Sequence, residues 1–200
     1  DEEYISDVSV QILNIHYKDK PDTRTSSNPT QRYRKEIEFI SNNTFRNTVI
    51  TKLCNKFNNN SLILVDYIDH GTLLYELICK KCKDKKVYFI RGEVAVEDRE
   101  HVKTLMEKDK NIIVIAISKI FATGVNIKNL HYIIFAGGGK AKVRIIQAIG
   151  RGLRLHKDKL NLIIIDIADE LMYAQRHGKK RIQLYKKEFI KYGTKEITEK

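Results

Sequence analysis

Residues 86–117 read KVYFIRGEVAVEDREHVKTLMEKDKNIIVIAI, and the pattern of this stretch decides the fold class. Its two ends, Lys86–Ile90 and Asn111–Ile117, are apolar runs rich in β-branched residues, which are typical of buried strands. Between them, Glu97–Lys108 has apolar residues at helical i, i+3 and i+4 spacing. A strand, a helix and a second strand in this order indicate two parallel strands joined by a crossover helix.

The same alternation continues on both sides of this stretch. Three more apolar runs are predicted to be buried strands: Ser61–Asp66, His131–Phe135 and Leu160–Ile165. Helical spacing recurs at Thr72–Cys82 and Lys140–Leu155. Repeated alternation predicts an α/β fold with a parallel sheet covered by helices on both faces. Ligands bind beyond the carboxyl ends of the strands in such folds, so the loops that follow the strands are the candidate sites.

The two ends of the chain depart from this alternation. At the start, a predicted strand, Val8–Lys18, leads through a polar connector into two predicted helices, Thr30–Ser41 and Thr44–Phe57. At the end, we predict a basic loop at Arg176–Arg181 and an amphipathic helix at Ile182–Tyr192. The predicted organisation is a lead-in (1–29), a compact domain (30–192) and a tail (193–200).

The formal net charge of +12 narrows the partners of the protein. A surplus of that size points to a polyanion, with nucleic acid first and an acidic membrane surface second. Nucleic acid is favoured because the basic residues are scattered through helices and loops instead of forming one amphipathic segment. No apolar run is long enough to span a bilayer, and we expect no membrane partner.

Three cysteines, an odd number without a paired framework, indicate a reducing, cytoplasmic setting. Cys79 and Cys82 have the spacing of a zinc site, but no second Cys or His pair completes it, so we expect no metal. All three, Cys54 included, are interpreted as helix cysteines.

The stretch Gln147–Arg154 (QAIGRGLR) carries the clearest chemical signal. On a helical wheel, Gln147, Arg151 and Arg154 fall within an arc of about 60°, while neighbouring apolar residues form a separate arc. Two guanidiniums on one face suit a polyphosphate, since Arg binds planar oxyanions through paired hydrogen bonds. A basic, solvated helix face is the alternative. The two glycines argue against it, because each costs about 1 kcal/mol relative to Ala inside a helix.

The loop after Asn111–Ile117 offers hydroxyls, an amide and a glycine that permits close approach of a phosphate or a ribose. Its candidate residues are Ser118, Thr123, Gly124 and Asn126. An ordinary turn is the alternative interpretation of this loop.

Two other strand-exit loops also hold candidates. Arg91 and Gly92 follow a predicted strand, where a cation and a backbone amide suit a nucleic-acid phosphate. Tyr67 and His70 follow another, where they could stack on a base or contact a nucleic-acid backbone. A simple turn is again the alternative at both places.

Two further patterns do not indicate a site. Gly137–Lys140 is not a phosphate-binding P-loop, because Ala141 follows the lysine and no glycine stands at the required spacing. Asp166 and Asp169 end a predicted strand and are interpreted as structural, since acid–base catalysis would need further supporting groups.

Taken in order, these segments resemble the second RecA-like domain of superfamily 2 helicases. Ser61–Asp66 resembles motif IV, and Tyr88–Arg99 resembles the segment with an aromatic strand, a Gly and a downstream Arg. Ser118–Ile127 resembles motif V, and Gln147–Arg154 matches the motif VI pattern Q-x-x-G-R-x-x-R completely. The resemblance covers about residues 30–190 and extends to the UvsW-type helicases of tailed phages.

This resemblance implies roles for particular positions. Arg151 and Arg154 would be arginine fingers contacting the γ-phosphate of ATP, with Gln147 supporting them. Gly124 and Asn126 would lie near the ATP ribose or couple the nucleotide and nucleic-acid sites, although many relatives have Asp where Asn126 stands. The backbone of one nucleic-acid strand would be held by residues of the strand-exit loops, namely Gly92, Ser118, Thr123, Arg91 and Tyr67. The Arg91 position is often His or Ser in the family.

The implied function is that of the C-terminal motor domain of an ATP-dependent DNA helicase or translocase that remodels branched duplex DNA. ATP with Mg²⁺ would be bound mainly by a first RecA-like domain, because no G-x-x-x-x-G-K-[ST] motif occurs in these residues. The lead-in over 1–29 would connect to that domain. Three alternatives remain open: a non-catalytic nucleic-acid-binding module, the motor half of a restriction-enzyme translocase, and an RNA helicase.

Overall fold

A computed structural model of the chain describes residues 8–22, 28–92, 95–121, 129–139, 141–155, 162–188 and 190–200, with the backbone alone for 95, 141 and 150–155. Seven strands in these ranges form one sheet: β1 (Val8–His16), β2 (Ser61–Val65), β3 (Lys86–Ile90), β4 (Ile112–Ile117), β5 (Tyr132–Phe135), β6 (Leu162–Asp169) and β7 (Lys191–Thr198). The strand order is β3-β4-β2-β5-β6-β1-β7, and every pair is parallel. The predicted α/β class with a parallel sheet is therefore confirmed.

Six α-helices connect these strands: α1 (Pro29–Asn42), α2 (Thr44–Lys56), α3 (Ile68–Lys81), α4 (Ala95–Lys108), α5 (Ala141–Leu155) and α6 (Met172–Lys187). Crossovers between parallel strands are right-handed, so the direction of each connection decides the face of its helix. Connections through α2 and α3 run toward β3, whereas those through α4, α5 and α6 run toward β7. The two groups therefore cover opposite faces, and α2 packs on α3 while α5 packs on α6.

The core lies on both faces of the central strands. All residues of β2 and β4 are buried, because helices cover these strands from both sides. Helix α1 contacts both α2 and α6, so it reaches from one helix layer to the other. Cys54 and Cys82 are buried as free thiols, and Cys79 is an exposed thiol on α3. Among the described residues, no helix has the length and apolar character needed to cross a bilayer.

The structure corrects the sequence-based boundaries at both ends of the chain. Strand β1 belongs to the interior of the sheet, between β6 and β7, although the sequence placed it in a lead-in. The predicted tail, 193–200, forms most of β7, which pairs along its whole length with β1. The predicted loop at Arg176–Arg181 is part of α6, and the helix predicted over Ile182–Tyr192 ends at Lys187.

Candidate functional site

The carboxyl edge of the sheet has a crevice where the chain direction reverses. From β2 the chain turns toward one edge of the sheet through α3, and from the neighbouring β5 it turns toward the other through α5. Ligands of open α/β sheets bind at such a switch point. The residues that follow β2, β4 and β5 therefore form the candidate site.

Asp66 and the glycines after β5 close the floor of this crevice. The backbone N–H of Gly139 donates to Asp66 Oδ2 at 2.6 Å. A Cβ atom added at Gly137 would lie 2.5 Å from the Asp66 carboxylate, and one added at Gly139 would lie 2.7 Å from it. Glycines are needed at these positions because the Asp66 carboxylate lies against their backbone. This close approach explains the glycine run without a phosphate-binding loop.

Ser118 lies on the same edge, directly after β4. Its side chain is buried, and its Oγ donates a hydrogen bond of 3.0 Å to the carbonyl of Val65. This bond fixes the end of β4 to the end of β2. The hydroxyl retains acceptor capacity toward the crevice, because its proton is committed to the carbonyl.

The two candidates after β2, Tyr67 and His70, differ in solvent exposure. Tyr67 is 49% exposed at the start of α3. His70 is buried, and its Nε2 lies 3.1 Å from Asn47 Oδ1. Burial lowers the pKa of His70 to about 3, with the nearby Arg46 guanidinium acting in the same direction. His70 is therefore a neutral core residue, which favours the structural alternative at this position.

Arg91 and Gly92 lie at the end of β3, which is separated from β2 by β4. Both are exposed, and the Arg91 guanidinium carbon is 5.8 Å from the centre of the Phe89 ring. Gly92 has φ of +85°, a conformation that favours glycine. The structure thus places these two candidates on the same edge as Ser118 and Tyr67 but toward the outer strand.

A cleft of about 1040 Å³ opens beside the strand ends, between α1 and α6. Four cations line it, namely Lys119, Arg176, Lys179 and Lys180. Aromatic rings line it as well, namely Tyr33, Tyr67 and Tyr173. Asp66 and Ser118 contribute to the same cleft, so it is continuous with the switch-point crevice.

Helices α1 and α6 are joined by a buried carboxylate. Glu36 of α1 accepts hydrogen bonds from the backbone N–H groups of Tyr173, at 2.9 Å, and Ala174, at 3.2 Å. Burial raises the pKa of Glu36, and these amide donors oppose that shift. Since the first residues of α6 have no side-chain cap of their own, Glu36 satisfies the N-terminus of α6 from outside.

Helix α5 carries the motif VI pattern, as predicted. Ile145, Ile146 and Ile149 are buried, whereas Gln147 is exposed, so the apolar and polar faces separate as expected. The side chains of Arg151 and Arg154 lie outside the described residues. Thr123, Gly124 and Asn126 also lie outside them.

Asp166 links α5 and α6 beneath this edge of the sheet. Its Oδ2 accepts from Arg181 Nε at 2.7 Å and from the Tyr185 hydroxyl at 2.8 Å, both on α6. Its Oδ1 lies 3.6 Å from the Nζ of Lys142 on α5. Burial, with the neighbouring Arg181 guanidinium acting in the same direction, lowers the pKa of Lys142 to about 8. Burial raises the pKa of Asp166, but the two cations outweigh it and hold that pKa below its usual range.

Asp169 has an equivalent structural role on the same strand. Arg46 of α2 donates to both of its oxygens, from Nε at 2.7 Å and from Nη2 at 3.2 Å, and the Tyr17 hydroxyl donates to it at 2.5 Å. Both carboxylates are thus paired within the core, which agrees with the structural interpretation of Asp166 and Asp169.

Sequence reasoning missed the cationic face of α6. Its sequence signal is a helical spacing, which places four residues on one helix face: Tyr173, Arg176, Lys180 and Gln183. The Gly178-Lys-Lys sequence within it instead suggested a loop. Of the predicted contacts, the structure brings Tyr67 and Ser118 together in the cleft, and it does not place Arg91 and Gly92 among the cleft residues.

The chain matches the model of the helicase conserved C-terminal domain over residues 44–156. Two viral relatives are similar to it in sequence. One, described as the ATP-dependent DNA helicase uvsW of Enterobacteria phage T4, is 32% identical over 96% of this chain and 41% of its own length. The other, putative helicase 161L of Invertebrate iridescent virus 6, is 30% identical over 84% of this chain and 39% of its own length.

Solved structures agree with these similarities. The crystal structure of T4 UvsW matches with a TM-score of 0.73 over 96% of this chain and 42% of that one. The C-terminal domain of the Sulfolobus solfataricus SWI2/SNF2 ATPase matches with a TM-score of 0.52 at 10% identity, over 88% of this chain and 86% of that one, which shows a shared fold alone. The chain spans about two fifths of the length of its viral relatives.

Proposed function

The chain belongs to the family of helicase conserved C-terminal domains, and from this premise we propose that it is the second RecA-like motor domain of an ATP-dependent DNA helicase or translocase. The substrate we propose is branched duplex DNA, which the motor unwinds or remodels. The observation that carries this proposal is 32% identity, over 96% of the chain, to a protein described as an ATP-dependent DNA helicase. The viral origin of both relatives supports a site of action in the host cytoplasm.

In this proposal, the polar face of α5 serves the nucleotide. Arg151 and Arg154 act as arginine fingers toward the γ-phosphate, and the exposed Gln147 supports them from the preceding turn. Gly124 and Asn126 lie near the ribose. ATP with Mg²⁺ supplies the phosphoanhydride that is hydrolysed, and a first RecA-like domain of the same polypeptide holds most of it. The fit rests on the amphipathic α5, whose buried isoleucines anchor it to the core while Gln147 is exposed.

The carboxyl edge of the sheet serves the nucleic acid. Tyr67 and Ser118 contact one strand at the switch-point crevice, and Arg91, Gly92 and Thr123 extend the contact along the edge. The net charge of +12 supports a sequence-independent attraction to phosphates.

The test compares arginine variants in the full-length protein that contains this chain. We expect Arg151→Ala or Arg154→Ala to reduce DNA-dependent ATP hydrolysis by about 10³-fold or more, while DNA affinity largely survives. Arg144→Ala is the matched control, because Arg144 is exposed on the same helix two turns earlier but lies outside the motif. Hydrolysis by the control should stay near that of the wild type.

Three results would count against the assignment. Hydrolysis that survives in both finger variants would exclude the arginine-finger role. Equal losses in the control and the finger variants would indicate a general effect on α5. A full-length protein that binds DNA but hydrolyses no ATP would favour the non-catalytic module.

A further inference from the structure

We propose that α6 holds the phosphates of a single nucleic-acid strand through Arg176, Lys179 and Lys180, as that strand leaves the sheet edge at Tyr67. This inference rests on the proposed function, because it extends the strand contact proposed for that edge. The three cations lie outside residues 44–156, the part that matches the family model. They therefore add a contact beyond the part of the chain that the family model covers.

The cations lie on the side of α6 that lines the cleft. Tyr173, Arg176 and Lys180 follow i, i+3 and i+7 spacing, so they share one helix face, and Lys179 borders it. All three cationic side chains are exposed. Lys119, directly after Ser118, supplies a fourth cation from the opposite side, next to the sheet edge.

The charge balance of the cleft favours an anionic ligand. Within the part of the chain that the structure describes, neither Arg176 nor Lys179 nor Lys180 is in an ion pair, and Asp66 is the acidic residue lining the cleft. One Asp66 oxygen already accepts from the Gly139 amide. The cations are therefore available to phosphates, which bind Lys and Arg through charge-assisted hydrogen bonds.

The anion is held by side chains and not by the end of the helix. Glu36 already accepts from the Tyr173 and Ala174 amides, so the first turn of α6 has no amides left for a phosphate at those positions. Arg176 is instead positioned by an aromatic surface, since its guanidinium carbon lies 5.7 Å from the centre of the Tyr173 ring. That ring is itself fixed, because its hydroxyl donates to the Pro29 carbonyl at 3.1 Å and Tyr33 packs edge-on at 5.6 Å.

A single strand fits this arrangement better than a duplex. Tyr67 presents a half-exposed ring in the same cleft as the cations. Aromatic rings next to a cationic groove bind single strands, because unpaired bases offer their faces for stacking. A duplex keeps its base faces covered and would use the cations alone.

The experiment measures binding of a fluorescein-labelled oligothymidylate of about 20 nucleotides to the 200-residue chain by anisotropy, across a range of salt concentrations. The test variant is Lys179→Ala with Lys180→Ala. The matched control is Lys186→Ala with Lys187→Ala, which removes the same charge from the last turn of α6, away from the cleft residues. Each phosphate contact to a single strand contributes about 0.7 to the slope of log affinity against log salt.

We expect the test variant to lose about 1.4 from that slope and the control to keep it. The affinity ratio of wild type to test variant should then shrink about sevenfold between about 50 and 200 mM salt. Tyr67→Ala should weaken binding about fivefold or more without changing the slope. Thermal unfolding of each variant should match that of the wild type, so that a slope change reports a contact.

The outcomes separate this inference from the proposed function. Equal slopes for the test variant and the control, with Tyr67→Ala still weakening binding, overturn the α6 contact and leave the sheet edge intact. A wild type that binds no oligonucleotide overturns both. A slope change seen with a duplex of the same length but not with the single strand overturns the choice of a single strand.

Discussion

Replacing Asp166 by Asn should destabilise the protein strongly, because Asp166 is the counter-ion of two buried cations. Arg181 Nε and the Tyr185 hydroxyl donate to it at 2.7 and 2.8 Å, and Lys142 Nζ lies 3.6 Å away. Asn keeps the shape and one acceptor oxygen but loses the charge. The variant therefore tests electrostatics with little change in packing.

The expected loss follows from the two cations. Removing one member of a buried ion pair costs about 3–5 kcal/mol, since the remaining charge is left uncompensated. Lys142 contributes little of this, because its pKa is already lowered to about 8 and deprotonation at pH 7 costs about 1.4 kcal/mol. Arg181 does not deprotonate, so it accounts for most of the loss. For a chain of this length, such a loss lowers Tm by about 6–20 °C.

The assay is urea unfolding followed by circular dichroism at pH 7, with free energies of unfolding extrapolated to water. Asp109→Asn is the control, since Asp109 pairs with Lys86 at 3.0 Å on the surface, where solvent screens an ion pair and its contribution to stability is small. Arg181→Met should cost less than Asp166→Asn, because Lys142 still neutralises Asp166. The double variant should lose less than the sum of the two, by about 1 kcal/mol or more.

A loss below about 1 kcal/mol for Asp166→Asn, equal to that of the surface control, would contradict the role of Asp166 as counter-ion. Strict additivity of Asp166→Asn and Arg181→Met would also contradict this role, because it would mean that the two side chains are not coupled. Either result would mean that the paired charges beneath α5 and α6 do not hold the two helices together.

Two further predictions concern proton binding and turnover. The folded pKa of His70, about 3, lies below the ordinary pKa of 6.5 for a histidine, so the unfolded chain binds the additional proton on acidification. The stability contributed by this group is therefore complete above about pH 6.5 and falls as the pH is lowered, by about 2 kcal/mol at pH 5. Urea unfolding of His70→Gln at pH 7 and pH 5 should show a smaller pH dependence than the wild type, and an unchanged dependence would contradict the assignment. The 200-residue chain alone should hydrolyse no ATP in a phosphate-release assay, with or without DNA, because it contains no P-loop motif. Phosphate release above that of the buffer blank would contradict the two-domain proposal.

Local patterns predicted the central fold. The strands β2 to β6 and the helices between them follow the apolar runs and helical spacings of the sequence. Each of these elements packs apolar side chains against the core, and the spacing of those side chains is a local property of the sequence. The structure moved their bounds by a few residues, as at α3, which begins at Ile68 and not at Thr72. The amphipathic character of α5 was predicted in the same way, and the buried Ile146 and Ile149 and the exposed Gln147 agree with it.

Local patterns do not predict burial or pairing where a residue distant in sequence decides them. Arg181 of α6 is buried because Asp166 neutralises its charge. The sequence therefore has a charged residue at a position that belongs to the core. Strand β7 has almost no buried side chain, because it is an edge strand held by its pairing with β1. Neither feature has an apolar period that could reveal it.

The sequence by itself determined the α/β class, the order of the motifs and the helix that carries Gln147, Arg151 and Arg154. These properties depend on periodicity within short segments. The tertiary structure alone decided the strand order, the burial of His70 and the cleft between α1 and α6. In that cleft, Tyr33 and Tyr173 lie 5.6 Å apart although 140 positions separate them in the chain. Such contacts depend on how the elements pack, and a local pattern does not record which distant element will cover which face.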